Sequence, residues 1–164
     1  MGLGQKSGVR VGRVAEHTVG SRRWLMTEQW QEPRARFGFA EVTGPSMVPT
    51  LVHGDQLLVD YRAAFRAGDV AVLRHPLQQD LLIVKRLAER RDEGWWVLGD
   101  NPGADGDSRV FGVVPPELLL GRVRSRFRPL GPDQRSVLGV VVWLASAVRP
   151  VLADRSVSRR LRAR

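Results

Sequence analysis

The sequence predicts a mainly β domain with few helices, because its apolar runs are short, several of them alternate, and Gly, Pro and Asp punctuate them at regular spacing. A length of 164 residues, 43% of them hydrophobic, suffices for one domain with its own core. The runs are residues 37–42 (FGFAEV), 56–60 (QLLVD), 69–74 (DVAVLR), 81–89 (LLIVKRLAE), 95–99 (WWVLG), 110–114 (VFGVV) and 118–127 (LLLGRVRSRF). Each reads as a strand. Turn chemistry separates them at residues 53–55 (HGD), 67–69 (AGD), 75–76 (HP), 91–94 (RDEG), 99–107 (GDNPGADGD) and 115–116 (PP). Residues 122–128 (RVRSRFR) alternate Arg with other residues and read as an edge strand with one Arg-rich solvent face. Residues 44–55 (GPSMVPTLVHGD) place a proline on each side of a Ser-Met pair, which reads as a rigid loop or a single helical turn against the sheet.

The expected organisation is a flexible basic arm over residues 1–36, a folded domain over 37–128, and an apolar helix with a basic tail over 129–164. Residues 24–30 (WLMTEQW) are the part of the arm able to pack locally, and Met26 offers a second start site. In the last segment, residues 137–148 (VLGVVVWLASAV) fall short of the ~20 residues a membrane-spanning helix needs. Two readings stay open for them: a short helix packed on the domain, or an interfacial segment lying on a membrane, followed by the basic residues 155–164 (RSVSRRLRAR). Arg10, Arg13, Arg22 and Arg23 interrupt every apolar stretch near the start, so no signal peptide is expected. The expected location is the cytoplasm, with peripheral contact at the inner face of the membrane through the C-terminal segment.

The net charge of +9 is unevenly spread: residues 1–36 carry +4, residues 37–121 carry −4 and residues 122–164 carry +9. A mildly acidic domain between basic flanks disfavours a nucleic-acid-binding core, and no specific nucleic-acid partner is expected. Cysteine is absent, which removes disulfides, thiol nucleophiles and thiolate metal sites. His17, His53 and His75 are scattered without metal-ligand spacing, and the acidic loop 99–109 lacks the terminal Glu of an EF-hand, so no metal is expected.

Among 26 basic residues only Lys6 and Lys85 are lysines. Lys85 sits inside the most apolar strand, beside Arg86, which alternation turns to the other face. Arginine keeps its proton in a protein, whereas a buried lysine amine becomes a base once desolvation depresses its pKa. Ser46, held between prolines in a Gly-led loop, is the matching nucleophile, with its own N–H as an oxyanion donor. Structural readings compete: a turn serine, and a strand lysine reaching the rim. His53 before Gly54-Asp55 and His75 before Pro76 read as turn residues rather than a catalytic histidine.

Five short motifs then occur in order: Gly44-Pro45-Ser46-Met47-Val48-Pro49-Thr50-Leu51, Gly54-Asp55, Gly68-Asp69-Val70, Lys85-Arg86, and Gly99-Asp100-Asn101-Pro102 with Asp107-Ser108-Arg109. Together they resemble the type I signal peptidase family of Ser/Lys proteases. Residues 73–86 (LRHPLQQDLLIVKR), 94–101 (GWWVLGDN) and 148–164 are similar to the subgroup that matures nickel-type superoxide dismutase. The resemblance implies a signal-peptidase-like, LexA-like β-sheet or barrel catalytic domain. It implies a serine endopeptidase in which Ser46 attacks and neutral Lys85 moves the proton, and no cofactor. It further implies a role for Ser46, Gly44 and Ser108 in the oxyanion hole or in positioning, for Met47 and Pro49 against substrate, and for Asp100, Asp107 and Arg109 as structural support. Two departures stand out. Gly44 carries no hydroxyl where some relatives have one, and Asp105 stands where relatives carry a serine that orients the lysine, so either Asp105 faces solvent or Ser108 or a water takes that place.

The implied reaction is removal of an N-terminal propeptide from a nickel superoxide dismutase precursor, whose new amino terminus becomes a metal ligand. A general type I signal peptidase acting on exported preproteins, and a non-enzymatic regulatory module with the LexA-like fold, are the alternatives.

Overall fold

A computed structural model describes residues 8–12, 35–129 and 147–154. Its strands are β1 (Gly8–Gly12), β2 (Phe37–Thr43), β3 (Gln56–Asp60), β4 (Val70–His75), β5 (Gln78–Arg91), β6 (Gly94–Leu98), β7 (Leu119–Phe127) and β8 (Val148–Pro150), with a one-turn helix α1 (Ser108–Phe111). All pair antiparallel in one sheet of order β1-β2-β3-β7-β4-β5-β6, and β8 joins β7. The mainly β expectation is met.

Two apolar clusters hold the sheet. One gathers Ala40, Val42, Leu57, Val59, Val70, Val72, Val84 and Val123 with Met47 and Leu51 from the loop after β2. The other gathers Ala71, Leu73, Ile83, Leu87, Trp95, Val97, Val114 and Leu119. Because side chains alternate along a strand, neighbours on β4 and β5 divide between the two clusters. The same alternation sends Lys85 and Arg86 to opposite sides.

Four expectations are corrected. Residues 122–128 do not form an edge: β7 lies between β3 and β4, and its arginines face buried aspartates. Arg124 donates to Asp60 at 2.7 Å, Arg128 to Asp55 at 2.7 and 2.9 Å, and Arg122 to Asp69 at 3.4 Å. Arg124 foremost, joined by Arg36 and the Arg62 N–H, outweighs burial and holds the Asp60 carboxyl below its usual range. Part of the basic C-terminal flank thus neutralises the acidic domain.

The run 110–114 is not a strand. Asp107 caps α1 by accepting the Arg109 N–H, Gly112 ends it at φ 80°, and only Val114 pairs, bridging to Trp95. The expected flexible arm contributes β1, which pairs with β2 from Gly8↔Thr43 to Gly12↔Phe39. At the other end Val148 opens a strand, where a helix was expected to finish. Residues 24–30, Met26 and most of the 137–148 run lie outside the described residues. Among the described residues, no helix is long and apolar enough to cross a membrane.

Candidate active site

The loop after β2 begins at Gly44, whose φ of 96° a side chain would strain, and then folds into a single helical turn. Val48 donates to Pro45 O at 3.1 Å and Leu51 to Met47 O at 2.8 Å. This turn puts Met47 and Leu51 inward and leaves Ser46 at its start, 7% exposed. Met47, expected against substrate, is 1% exposed within the core, because the helical turn places it on the same inner side as Leu51. Pro49 is exposed.

Lys85 reaches the same place from β5. Its residue is 1% exposed and its Nζ has no hydrogen-bond partner among the described residues. Burial pushes its pKa down from 10.5 to about 8. Arg109 adds to that fall, while Asp107 and Asp100 oppose it. An amine with this value is neutral in roughly a tenth of molecules at pH 7 and in about half at pH 8.

Gly99, at the end of β6, packs against both candidates. A Cβ built there falls 2.6 Å from Ser46 O and 3.6 Å from Lys85 Nζ. Any side chain would have to displace the backbone of the serine loop. Asn101 ties that loop down further, its N–H donating to Ser46 O at 3.1 Å and its side-chain amide to Pro45 O at 3.1 Å. The residues 99–101 are therefore a brace across the Ser46 turn.

Behind Lys85, Arg86 turns to the opposite side and forms a buried fork with Asp100, Nε to Oδ1 at 2.7 Å and Nη2 to Oδ2 at 2.6 Å. Its Nη1 donates to Gly68 O at 2.6 Å, and Asp100 also accepts the Thr50 hydroxyl. One ion pair thus joins β5, the Gly68 turn, the 99–101 brace and the serine loop. Arg86, Thr50 and Asn101 were not among the expected site residues. A guanidinium in the most apolar strand needs a buried acid, and that need was the legible signal.

Asp107 and Arg109 form the expected pair, Nη2 to Oδ2 at 2.7 Å, and Asp107 also accepts the Gly99 N–H at 3.0 Å. Burial alone would raise Asp107; the Arg109 guanidinium and the N–H groups of Gly99 and Arg109 overcome it and hold the carboxyl below its usual range. Asp105 is exposed, in keeping with the solvent-facing alternative. Ser108 makes no hydrogen bond to the amine; its Oγ accepts the Val97 N–H at 2.8 Å, which fastens α1 to β6. His53 is exposed in its turn. His75 accepts the Leu77 N–H and packs edge-on to Phe111 at 4.9 Å.

An amine buried and unpartnered among the described residues, beside a serine in a braced turn, is a layout for nucleophilic chemistry with lysine as base. Comparison with known proteins points to a peptidase family. Residues 5–108 match the family described as Peptidase S24-like, a span that includes Ser46, Lys85 and the 99–101 brace. Mitochondrial ATP-independent inner membrane protease subunit 1a of Arabidopsis thaliana is 30% identical over 115 residues, covering 54% of this chain and 68% of the relative. Mitochondrial inner membrane protease subunit 1 of Xenopus tropicalis is 30% identical over 124 residues, covering 59% of this chain and 74% of the relative.

Proposed function

We propose that this chain, which belongs to the Peptidase S24-like family, is a serine endopeptidase that removes an N-terminal propeptide from a nickel superoxide dismutase precursor. The carrying observation is Lys85: an amine sealed from solvent, without a hydrogen-bond partner among the described residues, titrating at about 8 beside the Ser46 loop. Neutral Lys85 Nζ takes the Ser46 hydroxyl proton as Oγ bonds to the scissile carbonyl carbon. The carbonyl π electrons move to the oxygen, which the Ser46 N–H stabilises. Collapse of the tetrahedral species breaks the C–N bond, and the ammonium returns its proton to the leaving amine. Water, deprotonated by the same amine, then hydrolyses the acyl-enzyme and frees Ser46. The substrate assignment rests on the resemblance of residues 73–86, 94–101 and 148–164 to the dismutase-maturing subgroup.

Incubation with a dismutase precursor is expected to give one discrete cut with wild type and none with Ser46→Ala. An intact precursor, or an equal cut by the variant, refutes the assignment. The relatives are named as inner membrane proteases, and a protease working at a membrane suits the second reading, a general signal peptidase acting on the presequences of exported preproteins. Cleavage of such presequences with the dismutase precursor left intact would select it. The cytoplasmic location, with contact at the membrane's inner face through the C-terminal segment, is part of the same reading; a fractionation that recovers the protein wholly outside the cytoplasm refutes it.

Gly99→Ala is expected to lower kcat/KM about 10²-fold while the sheet still melts cooperatively, because its methyl group displaces the Ser46 carbonyl. Peptide turnover measured alongside thermal unfolding checks this.

A further inference from the structure

β1 occupies a seam. Among the described residues its one sheet partner is β2, which leads from Thr43 through Gly44-Pro45 into Ser46. On its other side it approaches the first half of β5: a Cβ built on Gly8 meets Leu81 Cδ1 at 3.2 Å, the Thr43 hydroxyl at 3.4 Å and Leu82 O at 3.6 Å. That stretch of β5 has room for a neighbour. β4 pairs one edge of β5 over 82–86, whereas β6 pairs the other edge only from Arg86 onward. Five residues of extended chain therefore lie between the strand that leads to Ser46 and the strand that carries Lys85. The direction matters as well. β1 is antiparallel to β2, so its Gly8 end lies beside Thr43, three residues before Ser46, and its Gly12 end lies away at Phe39. The Thr43 hydroxyl donates to Gly8 O and pins the end nearest the serine.

From this placement we propose that residues 8–12 are a built-in occupant of the groove between β2 and β5 in which an extended polypeptide substrate lies, and that substrate enters by displacing this strand. The inference rests on the peptidase reading and adds its regulation. A strand in this position offers a substrate backbone the same β2 edge that β1 now uses, so the two cannot be bound together. The close approach at Gly8 sets the fit: a groove this tight between Leu81, Leu82 and Thr43 accepts a glycine there and disfavours a large residue. The strand is also easily displaced. It is five residues long, contains two glycines and lies at the end of the sheet order. Apparent affinity for a peptide then falls by the fraction of molecules in which the groove is open.

Two variants test this on the same peptide substrate. A chain beginning at Met26 lacks β1 and is expected to cleave the peptide with a kcat/KM at least about tenfold higher, the gain lying in KM. In the full chain, Arg10→Cys with Glu41→Cys puts thiols at paired register positions of a protein that has no other cysteine. Oxidation is expected to suppress peptide cleavage at least about tenfold, and reductant to restore it. A small serine-acylating probe, which does not need the groove, is expected to label Ser46 at similar rates in every form. Equal peptide turnover by the oxidised and reduced double variant overturns the proposal whether or not the shortened chain folds, as does unchanged KM in a shortened chain that does fold. Absence of Ser46 labelling in every form instead overturns the peptidase reading on which it rests.

Discussion

Lys85→Met is expected to give a protein that is more stable at neutral pH and inactive. The cost of holding a charged amine where Lys85 sits appears in its fall from 10.5 to about 8, which corresponds to about 3 kcal/mol against the protonated form. Methionine has similar reach and no charge to desolvate, so near pH 7 the variant is expected to unfold about 3 kcal/mol less readily. The sign follows from proton counting. Between about pH 8 and 10.5 the unfolded chain holds the Lys85 proton and the folded chain does not, so wild-type stability rises with pH across that window. Below pH 8 both states are protonated and the full penalty remains. The advantage of the variant is thus largest below pH 8 and shrinks toward pH 10.5, which denaturant titrations at pH 6.5, 8 and 10 would resolve. Peptide turnover is expected to fall by about 10²–10⁴-fold with the base removed. Lys85→Arg provides the contrast, since it keeps a charge that cannot be given up: activity is lost and no stability is gained. A Met variant that is both less stable and inactive would mean that the amine is a structural cation.

Arg86→Met is expected to be the most damaging single change to the fold. It strands the Asp100 carboxylate, whose side chain is 2% exposed, without its fork of charge-assisted hydrogen bonds. Removing one member of a buried pair costs about 3–5 kcal/mol, mostly because the remaining charge has no compensation. Thr50 and the Gly68 turn lose their shared anchor at the same time, so the surviving folded fraction is expected to turn over peptide more slowly. Adding Asp100→Leu is expected to recover most of the stability, since an apolar pair of similar volume carries no desolvation cost. It should leave the activity low, because the 99–101 brace still lacks its ties to Thr50 and the Gly68 turn. Urea unfolding of the two single variants and the double variant measures the coupling. A double variant no more stable than Arg86→Met would show that the pair acts through packing rather than charge.

Most of the sheet was legible because its strands announce themselves locally. Residues 56–60, 69–74, 81–89 and 95–99 are β-branched or apolar runs between turn signals, and each contains or overlaps an observed strand. Ser46 and Lys85 were legible for a chemical reason: a lysine kept in a chain that otherwise uses arginine, and a serine fixed by flanking prolines. What alternation does not encode is the partner across the sheet. Arg122, Arg124, Arg126 and Arg128 share the spacing of a solvated face. They meet Asp55, Asp60 and Asp69, which lie 53 to 73 residues away in the contacts formed by Arg122, Arg124 and Arg128. Gly8–Gly12 is equally opaque, since two glycines around three residues carry little propensity, and the strand exists because the β2 edge receives it. Residues 110–114 were misread for the opposite reason. A strand-like run yielded to a local cap, Asp107, and to Gly112, which closes the turn.

If Lys85 is the group that takes the Ser46 proton, its titration must govern the acylation of Ser46 by a small serine-reactive probe. The labelling rate is expected to rise about tenfold for each pH unit below 8 and to level off above it, with an apparent pKa of about 8, and the dependence should vanish along with most of the rate in Lys85→Met. A rate that follows the same curve in Lys85→Met, or one that stays flat from pH 6 to 10 in wild type, would contradict the pairing of Ser46 with Lys85.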